Sequence, residues 1–191
     1  MQKGFCVWLT GLPCSGKTTI ATELISMLSN RGRKVTLLDG DVVRPWLSKE
    51  LGFSKSDRAM NITRVGHIAE LLTSHGAAVL CSLVSPYREA REQVRTMIGL
   101  DFIEVWVRTD AGTCESRDVK GMWKEARCGK RPNFTGLDDP YEPPTDAEIK
   151  IDTVNETPRQ SADRIFRYLS SCGYLDAVAE RRQHHGPVAT L

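Results

Sequence analysis

The octapeptide Gly11-Leu12-Pro13-Cys14-Ser15-Gly16-Lys17-Thr18, followed by Thr19, carries glycine, lysine and threonine at the spacing of a phosphate-binding loop. Glycines let the backbone turn so that successive N–H groups face phosphate oxygens at the positive end of a helix. In such a loop Lys17 meets the β- and γ-phosphates of a nucleoside triphosphate, and the Thr18 hydroxyl ligates the Mg²⁺ that accompanies them. A loop of this kind identifies a nucleoside triphosphate site but not the group that receives the phosphate.

A second stretch, Asp39-Gly40-Asp41-Val42-Val43-Arg44, follows an apolar run and sets two carboxylates at the end of a predicted strand. Ligands of open α/β sheets bind at that end. Either Asp39 or Asp41 can take a proton from an attacking hydroxyl or organise water around Mg²⁺, and residue type does not separate the two roles. Arg58, Asn61 and Arg64 are spaced by three and so share one helical face, a cradle for an anionic acceptor or simply a solvated face. Lys120, Lys124, Arg127, Lys130 and Arg131 place five cations within twelve positions. A kinase needs such charge around the transferring phosphoryl, and Arg127 is the first choice for a phosphate contact. His67 and His75 lie along a predicted helix and read as packing or surface residues.

The elements that position these groups alternate along the chain. Phe5–Leu9 reads as a buried strand, Thr18–Asn30 as a helix, and Lys34–Leu38 as a strand. A short helix over Val43–Leu51 requires Pro45 in its first turn. Ser56 or Asp57 caps a longer helix that buries Ile62, Val65, Ala69 and Leu72 and stops at Gly76. Ala77–Val84 is a central strand, and Ser85-Pro86 is an N-cap followed by proline, opening a helix to Ile98. Phe102–Val107, Asp110–Arg117, Lys150–Val154 and Thr157–Ser171 continue as strand, helix, strand and helix, with Trp8, Phe102 and Trp106 assigned to the core. Residues 118–148 lack periodicity and read as a long, partly helical lid. The fold class is therefore α/β: a doubly wound, mostly parallel sheet of the P-loop NTPase type, with helices on both faces and a basic lid. Residues 1–175 form one domain, and residues 176–191, with His184 and His185, form a loose tail.

Among 191 residues, 40% are hydrophobic and 26% charged, an ordinary globular mix that suffices for a buried core. Lys and Arg number 26 against 24 Asp and Glu, for a net charge of +2. That balance argues against a nucleic-acid binder. No apolar run approaches bilayer-spanning length, and the N-terminal apolar stretch is too short for a signal peptide. Six cysteines show neither a CxxC pair nor metal-ligand spacing and read as reduced thiols of a cytoplasmic protein.

Several motifs in one order resemble the adenylylsulfate kinase family. They are Gly11–Thr18, Asp39-Gly40-Asp41 with Arg44, Leu51-Gly52-Phe53-Ser54 with Asp57-Arg58, Asn61 and Arg64, and Ser85-Pro86-Tyr87-Arg88. Asp118-Val119-Lys120-Gly121, Lys124-Glu125-Ala126-Arg127, Asn133-Phe134-Thr135-Gly136 and Asp139-Pro140-Tyr141-Glu142 follow, so the resemblance covers residues 5–172. It implies transfer of the ATP γ-phosphoryl group to the ribose 3′-hydroxyl of adenosine 5′-phosphosulfate. It further implies that Arg44, Arg58 and Asn61 hold the phosphosulfate, that Phe53 and Phe134 flank its adenine, and that Val84, Ser85, Lys120 and Gly121 line the same pocket. Homodimerisation is also implied, as is a phosphoserine at Ser85; in-line transfer itself requires no covalent step. The sequence departs from the family pattern at Val42, Pro45-Trp46, Met122-Trp123 and Arg131-Pro132. The alternatives are a P-loop kinase for another small acceptor, or a nucleotide-binding regulatory domain; intact Lys17, Thr18, Asp39 and Asp41 speak against the latter.

Overall fold

Phe5–Thr10 (β1) is buried along its whole length. Phe5, Val7 and Leu9 enter one helical layer, while Cys6 and Trp8 enter the other. Alternation with burial on both sides is what a central parallel strand requires. The computed structural model describes residues 2–175, so the expected tail and its two histidines lie outside the described residues. Val35–Asp39 (β2), Ala78–Ser82 (β3), Phe102–Arg108 (β4) and Ile149–Asp152 (β5) join β1 in a parallel sheet of order β2-β3-β1-β4-β5.

Lys17–Ser29 (α1) and Pro158–Ser171 (α7) cover one face of the sheet, and Lys55–Ser74 (α3) and Arg88–Ile98 (α4) cover the other. The chain leaves β1 toward β2 and leaves β3 toward β4, so connections from these neighbouring strands diverge. A crevice therefore opens at their carboxyl ends. Short helices Gly40–Leu47 (α2), Ala111–Ser116 (α5) and Met122–Arg127 (α6) surround it. No helix among the described residues is long and apolar enough to cross a membrane.

Four local expectations are corrected. The helix after β2 begins at Gly40, because the Asp39 carboxylate accepts the Asp41 N–H at 2.9 Å and caps it; Pro45 sits inside the helix, not in its first turn. Its missing N–H leaves the Asp41 carbonyl without an intrahelical donor. The next helix is capped by Ser54, whose hydroxyl accepts the Asp57 N–H at 3.1 Å, and not by Ser56 or Asp57. Ser85 caps nothing: α4 starts at Arg88, whose N–H is accepted by the Glu142 carboxylate at 2.8 Å. Helix α6 interrupts the non-periodic stretch 118–148, and Trp106 is only half-buried.

Candidate active site

A cleft of about 1110 Å³ opens at the carboxyl ends of β1, β2 and β3. Its floor is the phosphate loop. A Cβ at Gly11 would lie 2.4 Å from the Val107 carbonyl oxygen, and Gly16 has φ 102, so both positions demand glycine. Lys17 is buried, and its Nζ donates to the carbonyls of Gly11 (2.9 Å) and Leu12 (2.7 Å) and to Ser15 Oγ (3.3 Å). Burial pulls its pKa down to about 8. Pro13, Cys14, Gly16, Lys17, Thr18 and Thr19 face the cleft, while Gly11, Leu12 and Ser15 form the inner side of the loop.

Thr18 begins the acidic side. Its hydroxyl donates to Asp39 Oδ2 at 2.7 Å and lies 3.0 Å from Ser82 Oγ at the end of β3. Asp41 lies two residues further, in α2, and is paired with Lys120 from the 118–148 segment. Both members of that pair are more than half exposed, so the contact is weak and readily exchanged for a ligand.

The opposite end is aromatic and cationic. Arg44 from α2 lies over the Phe53 ring at 4.2 Å, and Arg58 from α3 approaches the same ring at 5.3 Å. Arg44 donates to the carbonyls of Leu51 and Gly52. Burial lowers the pKa of both guanidinium groups, and Arg58 adds to the lowering at Arg44. Two partly desolvated like charges favour an anionic ligand. Asn61 is buried beside them, and its Oδ1 has no hydrogen-bond partner among the described residues. Phe134 arrives from the 118–148 segment, buried and edge-on to Trp123 with ring centroids 5.0 Å apart.

Ser85 and Val84 form part of the cleft wall. The Ser85 hydroxyl accepts from the Trp8 indole N–H at 3.0 Å and donates to the Leu83 carbonyl at 3.4 Å, so its contacts include no carboxylate or histidine that could activate it. Cys14, Ser85 and Asn133 are the non-glycine residues with positive φ among the described residues, and all three line the cleft. Strain of this kind concentrates where ligands must be met.

Not every expected residue is brought here. Arg127 and Gly121 border a separate shallow depression, and Arg127 is held by Glu115 through bonds of 3.0 and 2.9 Å. Lys124 and Arg127 share one face of α6, with Gly121 at its N-cap, and this face turns from the cleft; Lys120 and Arg131 are the basic residues of the 118–148 segment that face it. Arg64 instead bonds the Leu47 carbonyl and Glu50. His67 and His75 are exposed, as expected.

Sequence reasoning missed Ser82, Ser48, Arg117 and Thr153. Ser82 completes the hydroxyl–carboxylate cluster. Ser48 lines the cleft with a buried Oγ that has no hydrogen-bond partner among the described residues. Arg117 donates to Thr153 Oγ1 and its carbonyl, both at 2.8 Å, and builds the wall beside Gly16. None sits in a local pattern; the only available signal was position at a strand or helix end.

Residues 3–152 match the model of the family described as adenylylsulphate kinase. The adenylyl-sulfate kinase of Microcystis aeruginosa is 50% identical over 179 residues, 93% of this chain and 98% of that protein. That of Halothermothrix orenii is 47% identical over 175 residues, 92% of this chain and 94% of the other. The structure of Mycobacterium tuberculosis APS kinase CysC in complex with AMPPNP and APS superposes with a TM-score of 0.84 at 36% identity, covering 89% of this chain and 99% of that one. A phosphate loop facing a cationic, aromatic recess across one crevice, together with near-full-length similarity, places this chain in the adenylylsulphate kinase family.

Proposed function

We propose that the chain transfers the γ-phosphoryl group of ATP to the 3′-hydroxyl of adenosine 5′-phosphosulfate, giving ADP and 3′-phosphoadenylylsulfate. The observation that carries this reading is a single cleft with two unlike ends. One end presents backbone N–H groups, Lys17 and Thr18 to a triphosphate. The other presents Arg44, Arg58 and Asn61 to a second anion, between two phenylalanines able to stack on a base.

Thr18, Asp39 and Ser82 form an all-oxygen donor set that fits Mg²⁺. Thr18 would ligate the ion and Asp39 would hold its water; when bound, Mg²⁺ neutralises charge on the phosphates. Lys17 exchanges its loop carbonyls for the β- and γ-phosphate oxygens. Asp41, released from Lys120, accepts the proton of the 3′-hydroxyl, with Asp39 as the alternative base. Lys120 and Arg131 then face the transferring group from the lid. The transfer is direct, because the Ser85 hydroxyl is engaged as a strut. The wall of Arg117 and Thr153 takes the nucleoside of ATP.

In this reading residues 1–175 act as one kinase domain with 118–148 as its lid, and two copies associate as a homodimer. The free thiols of Cys6, Cys14, Cys81, Cys114, Cys128 and Cys172 suit a reducing compartment such as the cytoplasm. The test is ADP release with ATP and Mg²⁺ in the presence and absence of adenylylsulfate, alongside nucleoside and sugar acceptors. Adenylylsulfate-dependent turnover supports the assignment. Turnover only with another acceptor overturns it. Light scattering on the same sample decides the dimer.

A further inference from the structure

The Asp139-Pro140-Tyr141-Glu142 stretch has no part in the transfer described above, yet it contacts three elements around the acceptor end. The Tyr141 hydroxyl lies 3.0 Å from Thr10 Oγ1 at the end of β1. Glu142 donates its N–H to the Pro86 carbonyl at 2.8 Å, and its own carbonyl accepts from the buried Arg91 at 2.7 Å. These contacts fix the return limb of the lid to the body of the protein.

Asp139 stands at the tip of that limb. Its Oδ1 accepts from the Tyr87 hydroxyl at 2.6 Å, and its Oδ2 accepts from Thr135 Oγ1 at 3.1 Å. The same Oδ2 lies 3.6 Å from Arg58 Nε, with both side chains nearly buried at 11% and 12% exposure. Arg58 is otherwise held by the carbonyls of Phe53 and Asn133, the aromatic and one of the strained residues of the acceptor end. A guanidinium offers five donors in a fixed plane, so the groups that occupy some of them decide where the others point.

We propose that Asp139 is a positioning residue for phosphosulfate recognition: it holds Arg58 by charge, in the orientation that leaves the remaining guanidinium N–H groups for the acceptor. The inference deepens the reading of this end as the adenylylsulfate site and rests on it. The turn that carries Phe134 is independently secured. Asp138 accepts the Asn133 N–H at 2.8 Å and also that of Phe134, and Gly136 N–H donates to the Asp139 carbonyl at 2.8 Å. Removing only the Asp139 charge therefore leaves the turn's backbone bonds in place.

Asp139→Asn keeps the size and one acceptor oxygen for Tyr87. It is expected to raise KM for adenylylsulfate about tenfold, the effect of losing one charged contact, while KM for ATP stays within about twofold. In an Arg58→Ala background the same substitution adds less than about twofold, because its partner is gone. Equal effects in both backgrounds, or an unchanged KM for adenylylsulfate, overturn the assignment. A parallel rise in KM for ATP with a lowered Tm assigns Asp139 to general stability and also overturns it. Calorimetric binding of adenylylsulfate to the parent chain separates the two levels. Failure of the parent to bind removes the acceptor reading together with this inference, whereas normal binding by both parent and Asp139→Asn removes the inference alone.

Discussion

Thr18 Oγ1 donates to Asp39 Oδ2 at 2.7 Å, across 21 residues of sequence and between the first helix and the second strand. The bond aligns the proposed Mg²⁺ ligand with the carboxylate that would hold the ion's water, whereas Asp41 points to Lys120 instead. The two aspartates should therefore fail differently. Asp39→Asn is expected to raise the Mg²⁺ concentration needed for half-maximal turnover, and Asp41→Asn to lower kcat by about 100-fold or more at saturating Mg²⁺, the range of general-base removal. Magnesium titrations of both variants check this; identical Mg²⁺ dependence and turnover in parent and variants would refute the division.

Lys17 gives a prediction with a sign. Burial places its pKa near about 8 in the ligand-free chain, so it loses charge as pH rises through that value. Phosphates of ATP favour the charged form, so binding above that pH takes up a proton and weakens with further rise. Calorimetry of ATP binding at about pH 9 in two buffers of different ionisation enthalpy reads the proton directly. Zero uptake contradicts the assignment. Lys17→Ala should also abolish transfer while the fold survives, since among the described residues its side-chain hydrogen bonds all go to its own loop.

Local chemistry made the phosphate loop legible: its glycines, lysine and threonine act within eight consecutive residues. The sheet was legible as well, because burial on both faces leaves apolar runs between turn residues. What escaped depends on partners far along the chain. Ser85-Pro86 has the composition of a helix start, but Glu142 supplies the acceptor at Arg88, 54 residues away. The cluster of basic lid residues looked uniform until α6 divided it, turning Arg127 toward Glu115 and leaving Lys120 at Asp41. Ser48 and Ser82 offered only their position at a helix or strand end, because a lone serine has meaning through what it faces.

The two phenylalanines separate recognition from stability. Phe53 is 43% exposed and covered by Arg44, whereas Phe134 is buried against Trp123. Phe53→Ala should raise KM for adenylylsulfate by about 5- to 150-fold, borrowing the ~1–3 kcal/mol of base stacking, with little change in Tm. Phe134→Ala should do the same and also cost up to about 3–5 kcal/mol of stability, as large-to-small core changes do. Steady-state kinetics and thermal unfolding of both variants test this; equal effects of Phe53→Ala on the KM values of ATP and adenylylsulfate would remove the stacking role.

Glu142 joins the lid to the core through both of its ends. The carboxylate caps α4 at Arg88, and the carbonyl accepts from Arg91, which is buried and paired with Glu104 at 2.7 Å. Arg91 also donates to the Ser85 carbonyl at 2.7 Å, so the same guanidinium supports the strained cleft wall. Glu142→Ala removes the cap but leaves the backbone carbonyl, and should cost about 1 kcal/mol, the usual effect of cap loss. Arg91→Met instead removes the fully buried cation at Glu104, leaving only the partly exposed Arg95 at 3.2 Å, and should cost up to about 3–5 kcal/mol. Denaturant titration of the two variants should rank them in that order. The reverse order would mean that the lid contact, and not the buried ion pair, holds the helix and the cleft wall together.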